Sequence, residues 1–515
     1  MVKPVAGHIC SVQAERVKHR PRGSRRAGAL VVTLAVFGPL AGASAAGPTN
    51  PTRLATCAPD WATRVVEMEG HRRSPTVSAW LANGVRIHHM AMDQPAGQVV
   101  VTINLIGGEL LEGAESRGIS LAAARAWDDV QLRGADQLQI RKLLEDRDIH
   151  IDGASTPDAL QLRVRASRED IEVGMRIATE LLKRPDVKAR AIESAAADCE
   201  RLAVRRARTE AGLVARALAA ALFPTADIEP RTSPPRAEHV RGLSVESVQK
   251  WLDWHLEAAS VEAAVVGDIP LDEAMRLMAG YLGQMPQRAR IGAGSLAESR
   301  KLPPPKQPIE RRVEVDRADS GSARVGDGGT GTELAVVGFV GSDAANPAEL
   351  RTLRVVARLL DQRVSAALME EGLIVGSVNA SAVPATVYPG FGAVAVSARA
   401  DKPTIERVIK VMGAAVEQAA SAGFTEQEVD AAGDELARTV TAYEREPRYW
   451  SGILARSSTL GVSPDELADG QAFYRGLTAA AVNVTLRRNA TSERMIRVVV
   501  CESAGHSGSE LLPER

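Results

Sequence analysis

From about Trp61 to Gln287 the chain alternates between apolar runs of period two and apolar stripes of period 3.6, the marks of strands and helices. LANGVRIHHM sets an Asn83-Gly84 turn before a β-like run, and VVVTINLI puts Val101, Ile103 and Leu105 on one face. Gly118 to Val130 reads as a helix. LQLRVRA then sets Leu160, Leu162 and Val164 against Gln161, Arg163 and Arg165. That is a half-buried strand whose second face is wet or lies against a partner. Ser167 opens a helix carrying Ile171, Met175, Ala178 and Leu182, which Pro185 stops. An Ala/Arg-rich helical stretch runs from Ala189 to Leu222, Ser244 opens a helix with Val248, Trp251 and Leu252, and VEAAVVGDI is a short apolar strand.

The pattern breaks at Gly292 to Pro308, where GAGS and PPPKQP read as a stiff extended connector. Beyond it the same grammar repeats. LAVVGFVG is a strand, and Val356, Leu360, Val364 and Leu368 line a helix over Leu353 to Glu371. GSVNASAV and GAVAVSARA are strands, Ile405, Val408, Met412 and Val416 line another helix, and Thr425 with Glu428 forms a capping box for the next. The repetition predicts an α+β fold of two homologous domains, 56–291 and 313–503, joined by a linker over 292–312 and followed by a tail over 504–515. Each domain is expected to be a mostly antiparallel sheet with helices on one face. The Gly-rich stretch Ser320 to Thr332 has neither the spacing nor the lysine of a phosphate loop and reads as a flexible loop.

Composition narrows the function. Lys plus Arg number 63 and Asp plus Glu 64, with mixed signs along the chain, which gives no reason to expect nucleic acid as a partner. The first 46 residues read as a secretory signal. Lys3, Arg16, Lys18, Arg20, Arg22, Arg25 and Arg26 precede AGALVVTLAVFGPLAGA, and Ala43-Ser44-Ala45 supplies a small-x-small cleavage site. The apolar run is too short, and too broken by Gly38 and Pro39, for a comfortable membrane span. Export to the periplasm or the outside follows, with a retained N-terminal anchor as the alternative. Without the signal, Cys57, Cys199 and Cys501 remain, an odd number with no CxxC, so neither a disulfide framework nor a cysteine zinc site is indicated. His71, His88, His89, His150, His239 and His255 show no metal-binding spacing.

One region carries a more specific signal. INLIGGELLEG, followed by RGISLAAARAW, reads as a strand, a Gly-rich turn and a helix. Glu193 and Glu200 stand seven residues apart, and Glu200 lies 75 residues after Arg125. Farther on, LMEEGLIVG runs into SVNAS and YPGFG. In order and spacing these segments resemble the M16 (insulinase/pitrilysin-type) zinc peptidases. In that family H-x-x-E-H on a helix gives two zinc ligands and the general base, and a later Glu completes the site. The resemblance puts Leu121 and Arg125 where the family has its histidines and Ala124 where it has the catalytic Glu. Glu200 is the retained ligand-equivalent, with Glu193 nearby. Met369 and Gly376 replace the Arg and Tyr that hold substrate and stabilise its oxyanion.

The resemblance therefore implies an inactive M16 homologue with no catalytic residues and no zinc or other cofactor. Leu and Ala have no donor atom, and a guanidinium repels a metal ion. An active M16 peptidase closes two such two-domain halves like a clamshell, so the expected partner is another M16-type chain, as hetero- or homodimer, with extended peptides as further ligands. The alternatives are a zinc metalloendopeptidase with a non-standard site and a structural envelope protein. A last expectation is that Arg125 and Glu200 face each other where the metal would sit and form a bidentate pair.

Overall fold

The computed structural model describes residues 54–132, 136–223, 234–302, 305, 307–316, 332–341 and 343–503. The leader, the Gly-rich stretch from Ser320 to Gly331 and the tail from Ala504 lie outside them. Among the described residues no helix is long and apolar enough to cross a membrane.

The first half builds a seven-stranded sheet from β1 (Val65–Gly70), β2 (Thr76–Leu81), β3 (Arg86–Ala91), β4 (Gln98–Ile106), β5 (His150–Thr156), β6 (Ala159–Ser167) and β7 (Val261–Gly267). Their order is β1-β2-β3-β7-β4-β6-β5, and only β3 and β7 run parallel. The second half builds a five-stranded sheet from β8 (Ile309–Asp316), β9 (Thr332–Val340), β10 (Val378–Val383), β11 (Ala393–Asp401) and β12 (Met495–Ser503). Here the order is β10-β11-β9-β12-β8, with β12 and β8 parallel. β8 starts at Ile309, inside the stretch expected to be linker.

The main helices of the first half are α1 (Ile119–Asp128), α2 (Gln137–Asp146), α3 (Ile171–Lys183), α4 (Ala189–Arg208), α5 (Glu210–Leu222), α6 (Val245–Ala258) and α7 (Leu271–Leu282). Those of the second are α8 (Pro347–Glu370), α9 (Ile405–Ala422), α10 (Glu426–Glu444), α11 (Pro447–Leu454) and α12 (Ala479–Asn489). The capping box of α10 forms as expected, Thr425 Oγ1 accepting from Glu428 N–H at 3.3 Å while the Glu428 carboxylate accepts from Thr425 N–H at 2.8 Å. The long stretch read as one helix is two. Thr209 is extended (φ −104°, ψ 144°), and its hydroxyl accepts from Gly212 N–H at 3.1 Å to start α5. At Gly212 a Cβ would stand 2.2 Å from the Arg206 carbonyl oxygen, so the sharp joint needs glycine.

Each sheet packs one face on helices of its own half. Over the central strands the opposite faces are covered too, so of the two alternatives set by Gln161, Arg163 and Arg165 it is not the wet face that forms: the cover comes from the other half of the same chain. α11, from the second half, lies on the first sheet, with Trp450 and Leu454 against Met90, Ala264 and Val266. Thr102 donates to Ser451 Oγ at 3.0 Å, Asn104 Nδ2 donates to Ala455 O at 2.8 Å, and Gln161 Nε2 donates to Asn104 Oδ1 at 3.0 Å. α5 does the reciprocal job, with Leu213, Ala217 and Leu218 packed among Leu334, Val336 and Val498 of the second sheet. The halves are also tied at Asp158, a buried carboxylate in the β5–β6 turn. It accepts from Arg300 of the connector at 3.2 Å and from Arg456 of the second half at 2.7 Å.

Candidate functional site: a metal motif rebuilt from ion pairs

β4 ends in a tight turn at Gly107 and Gly108, both with positive φ (146° and 51°). A Cβ on Gly108 would meet the Thr156 carbonyl oxygen at 2.1 Å, so this turn is pressed against β5 and β6. α1 then starts at Gly118, a left-handed N-cap without a side chain to cap with. Glu112 supplies the missing acceptor from six residues back. Its buried carboxylate accepts from Gly118 N–H and Ser120 N–H, both at 3.0 Å, and from the Ser120 hydroxyl at 2.5 Å. A carboxylate at a helix N-terminus is favoured both by the orphan amides and by the helix dipole. Beside it Glu109, pushed up to about 7 by burial and by the Glu112 charge, lies in the same turn.

The helix that follows presents no metal donor at the aligned positions. Leu121 packs against the core, and Ala124 is fully buried. Arg125 is largely covered, and its guanidinium is committed to two carboxylates. It pairs with Asp128 one turn along, and its Nε lies 2.5 Å from Asp198 Oδ2 on α4. These two charges raise its pKa against the opposing effect of burial. Arg125 also donates from Nη1 to Gly153 O on β5 at 3.3 Å, and Asp128 Oδ1 accepts from Gly153 N–H at 2.6 Å.

Glu200 does not face Arg125. Its partner is Arg241, at 2.6 Å, and Arg241 also reaches Glu193 at 3.4 Å. The expected Arg125–Glu200 pair is thus replaced by two separate ones. The reason is helical geometry: at 3.6 residues per turn, Asp198 and Glu200 point in nearly opposite directions, and Asp198 is the one turned toward α1. In the second half Met369, at the end of α8, is 79% exposed and touches none of these groups by ion pair or hydrogen bond. Gly376 is exposed, with its N–H donating to Arg399 O at 2.9 Å.

This donor set does not fit zinc. Two of the aligned positions are aliphatic, the third is a cation, and the surviving carboxylate is held by a second cation. Among the described residues no group of three or more His, Cys, Asp and Glu side chains is placed to hold a metal. Cys57, Cys199 and Cys501 are all free thiols, and burial pushes the Cys199 thiol up to about 11. A Ser–His–Glu chain does occur elsewhere. Ser78 Oγ lies 2.8 Å from His88 Nδ1, and His88 Nε2 lies 2.9 Å from Glu262 Oε1. All three side chains are buried between the first sheet and the second half, where no substrate can reach, so the chain is structural. The sequence reading missed Glu112, Asp128, Asp198 and Arg241. Asp128 could have been found, since Arg125 and Asp128 are at a helix pairing distance of three.

Compared by sequence with curated proteins, the chain has no match. The profile of the family described as "Peptidase M16 inactive domain" matches residues 242–436. Among solved structures, the chain is similar to the M16 inactive domain from Pseudomonas fluorescens, at 14% identity and a TM-score of 0.65, covering 85% of this chain and 99% of that one. It is similar to the periplasmic protease PqqL from Escherichia coli, at 13% identity and a TM-score of 0.69, over 90% of this chain and 49% of that one. It is also similar to the ferredoxin protease FusC, solved as a mutant in complex with Arabidopsis ferredoxin, at 12% identity and a TM-score of 0.65, over 91% of this chain and 49% of that one. The chain therefore spans about half the length of these two proteases. At such identities the structural likeness is one of fold. Taken with the profile match over residues 242–436, it gives the chain an M16-like fold and a segment similar to the M16 inactive domain.

Proposed function

We propose that this chain is an exported, proteolytically inactive M16-type half that works as a non-catalytic subunit beside a second, active M16 chain. The observation that carries the reading is the fate of the zinc-motif helix. Leu121, Ala124 and Arg125 stand at the aligned positions, and Arg125 is spent on Asp128 and Asp198. A guanidinium held by two carboxylates neither binds a metal nor takes a proton from water. Met369 and Gly376 likewise offer no charged or hydroxyl group to a substrate oxyanion. The length relation supports a partner: the chain matches about half of PqqL and of FusC, so a second half of the same fold would complete the shape of those proteases.

A second reading, peptide binding by this chain alone, is favoured by the position of β5 at the edge of the first sheet beside the site. FusC, solved in complex with a protein ligand, makes a folded or unfolded polypeptide the natural ligand class. The decisive experiment is metal analysis of the purified full chain together with a peptide-cleavage assay, followed by co-expression with an M16 chain that keeps an intact H-x-x-E-H. Absence of stoichiometric zinc and of chelator-sensitive cleavage, with a stable complex of the two chains, is the expected result. Stoichiometric zinc with chelator-sensitive cleavage overturns the inactive reading, and failure to form a complex overturns the subunit reading.

A further inference from the structure

The Ser78–His88–Glu262 chain lies out of the reach of substrates but not of protons, because it continues toward the surface. His71, in the turn between β1 and β2, is half-buried, and its Nε2 lies 2.8 Å from Ser78 Oγ. Ser78 Oγ lies 2.8 Å from His88 Nδ1 across the β2–β3 pair, and His88 Nε2 lies 2.9 Å from Glu262 Oε1 on β7. The inner end of this row sits at the junction of the two halves. Glu262 is fully buried, and its Oε1 also accepts from Ser458 N–H at 2.9 Å and from the Ser457 hydroxyl at 3.3 Å. Its Oε2 has no hydrogen-bond partner among the described residues.

The buried end fixes the direction of the row. An ionised carboxylate only accepts, so His88 is assigned its proton on Nε2. Its Nδ1 is then an acceptor and takes the Ser78 hydroxyl proton, and the Ser78 oxygen accepts from His71 Nε2–H. Every donor thus points inward, toward one buried anion. The charged groups that face the row are Glu69 at the end of β1, Arg86 on β3 and Asp465 from the second half, all beside His71, with Arg86 also beside Glu262. Burial holds the His71 pKa below its ordinary value, against the pull of Glu69 and Asp465, so a positive charge is not favoured at the outer ring. A buried carboxylate with one oxygen unsatisfied is where an added proton relieves the greater cost.

We propose that this row is a proton relay, through which the junction of the two halves loses its buried charge in acid without the halves parting. A proton from water adds to His71 Nδ1, the His71 Nε2 proton passes to Ser78 Oγ, and the Ser78 hydroxyl proton passes to His88 Nδ1. One proton enters, one comes to rest on the His88–Glu262 pair, and no heavy atom moves. The added proton belongs to the pair, which changes from an anion to a neutral unit. The row then points outward, with Ser78 donating to His71 Nε2. Ser78 has a single hydroxyl proton, so the row keeps every bond with one added proton and loses one with two. The relay needs no second chain and no metal, so it can fail while the proposed subunit role stands, and the reverse.

The test is nuclear magnetic resonance of the full chain labelled with nitrogen-15 in its histidine rings, at about pH 8 and about pH 5.5, on either side of the ordinary histidine range. At the higher pH both His71 and His88 should be Nε2–H tautomers. At the lower pH the His88 Nδ1 should have gained a proton, and His71 should have become the neutral Nδ1–H tautomer. The His88 ring proton should exchange with heavy water at least tenfold more slowly in Ser78→Ala than in the parent. His71→Gln changes only the half-buried end, covers the case in which Ser78→Ala does not fold, and should slow the exchange likewise. An Nδ1–H tautomer of His88 at the higher pH, a His71 ring that charges while His88 gains nothing, or exchange unchanged in a folded variant overturns the proposal.

Discussion

Gly153 is the residue on which α1, β5 and the rebuilt site converge. Gly153→Ala would force its methyl group into the Ala124 carbonyl, and cannot be relieved by a side-chain rotation because the obstacle is backbone. A loss of about 1–3 kcal/mol is expected, the usual range for overpacking, read as a lowered urea midpoint at unchanged slope. His255 gives a pH-dependent counterpart. Its ring is buried against Trp251, Nδ1 has no partner, and Nε2 has only the Leu105 carbonyl at 3.4 Å. Burial holds its pKa down at about 4, below the ordinary 6.5. Between those values the unfolded chain binds the proton and the folded chain does not. The stability due to this group is therefore complete above pH 6.5 and drains away as the pH falls toward 4. Glu109, raised to about 7, acts in the opposite sense over an overlapping range, so the clean readout is a difference. His255→Gln should lose less stability than the parent on going from pH 7.5 to 5, by up to about 2 kcal/mol. Equal losses in urea titrations at the two pH values would show that His255 is not the buried neutral group described.

At the scale of elements, α11 decides whether the first sheet has one dry face or two. Trp450 is buried in the small cluster that α11 makes with Met90, Ala264 and Val266. Trp450→Ala should cost about 3–5 kcal/mol, and amide exchange should show the loosening in β3 and β7 as well as in α11. A loss confined to the second half would refute this account of the sheet. The same element explains what the sequence could and could not tell. Strands β4 and β6 and the helices on their near face are legible in local period. The burial of Gln161 and Arg163 is not, because it depends on a helix that arrives almost 290 residues later and on polar partners such as Asn104 and Asp152. The break at Thr209 was hidden by the uniform Ala/Arg composition around it. In the site, the frame from Gly118 to Arg125 was readable from motif spacing. The partner of Arg125 was not, because Glu200 is the position that the spacing marks, whereas helical phase turns Asp198 inward.

For the whole molecule, the crossed packing of α5 and α11 and the Asp158 clasp join two sheets into one folding unit. Calorimetry of the chain should accordingly give a single transition rather than two, and a fragment ending at Ile291 should not reach the stability of the same residues in the intact chain. Asp158→Asn removes the charge that two guanidiniums share in a buried place. It should lower stability by about 3 kcal/mol, since the arginines are left uncompensated.

The crossing also sets an order of events during biosynthesis. Chains are made from the N-terminus, and the first sheet has all its strands once Gly267 has been made, yet its second cover, Pro447–Leu454, comes some 180 residues behind it. Throughout that interval Met90, Ala264 and Val266 present an apolar face that the nascent chain cannot yet close. Until Pro447–Leu454 has been made, that face stays open to whatever the nascent chain meets, including another copy of itself.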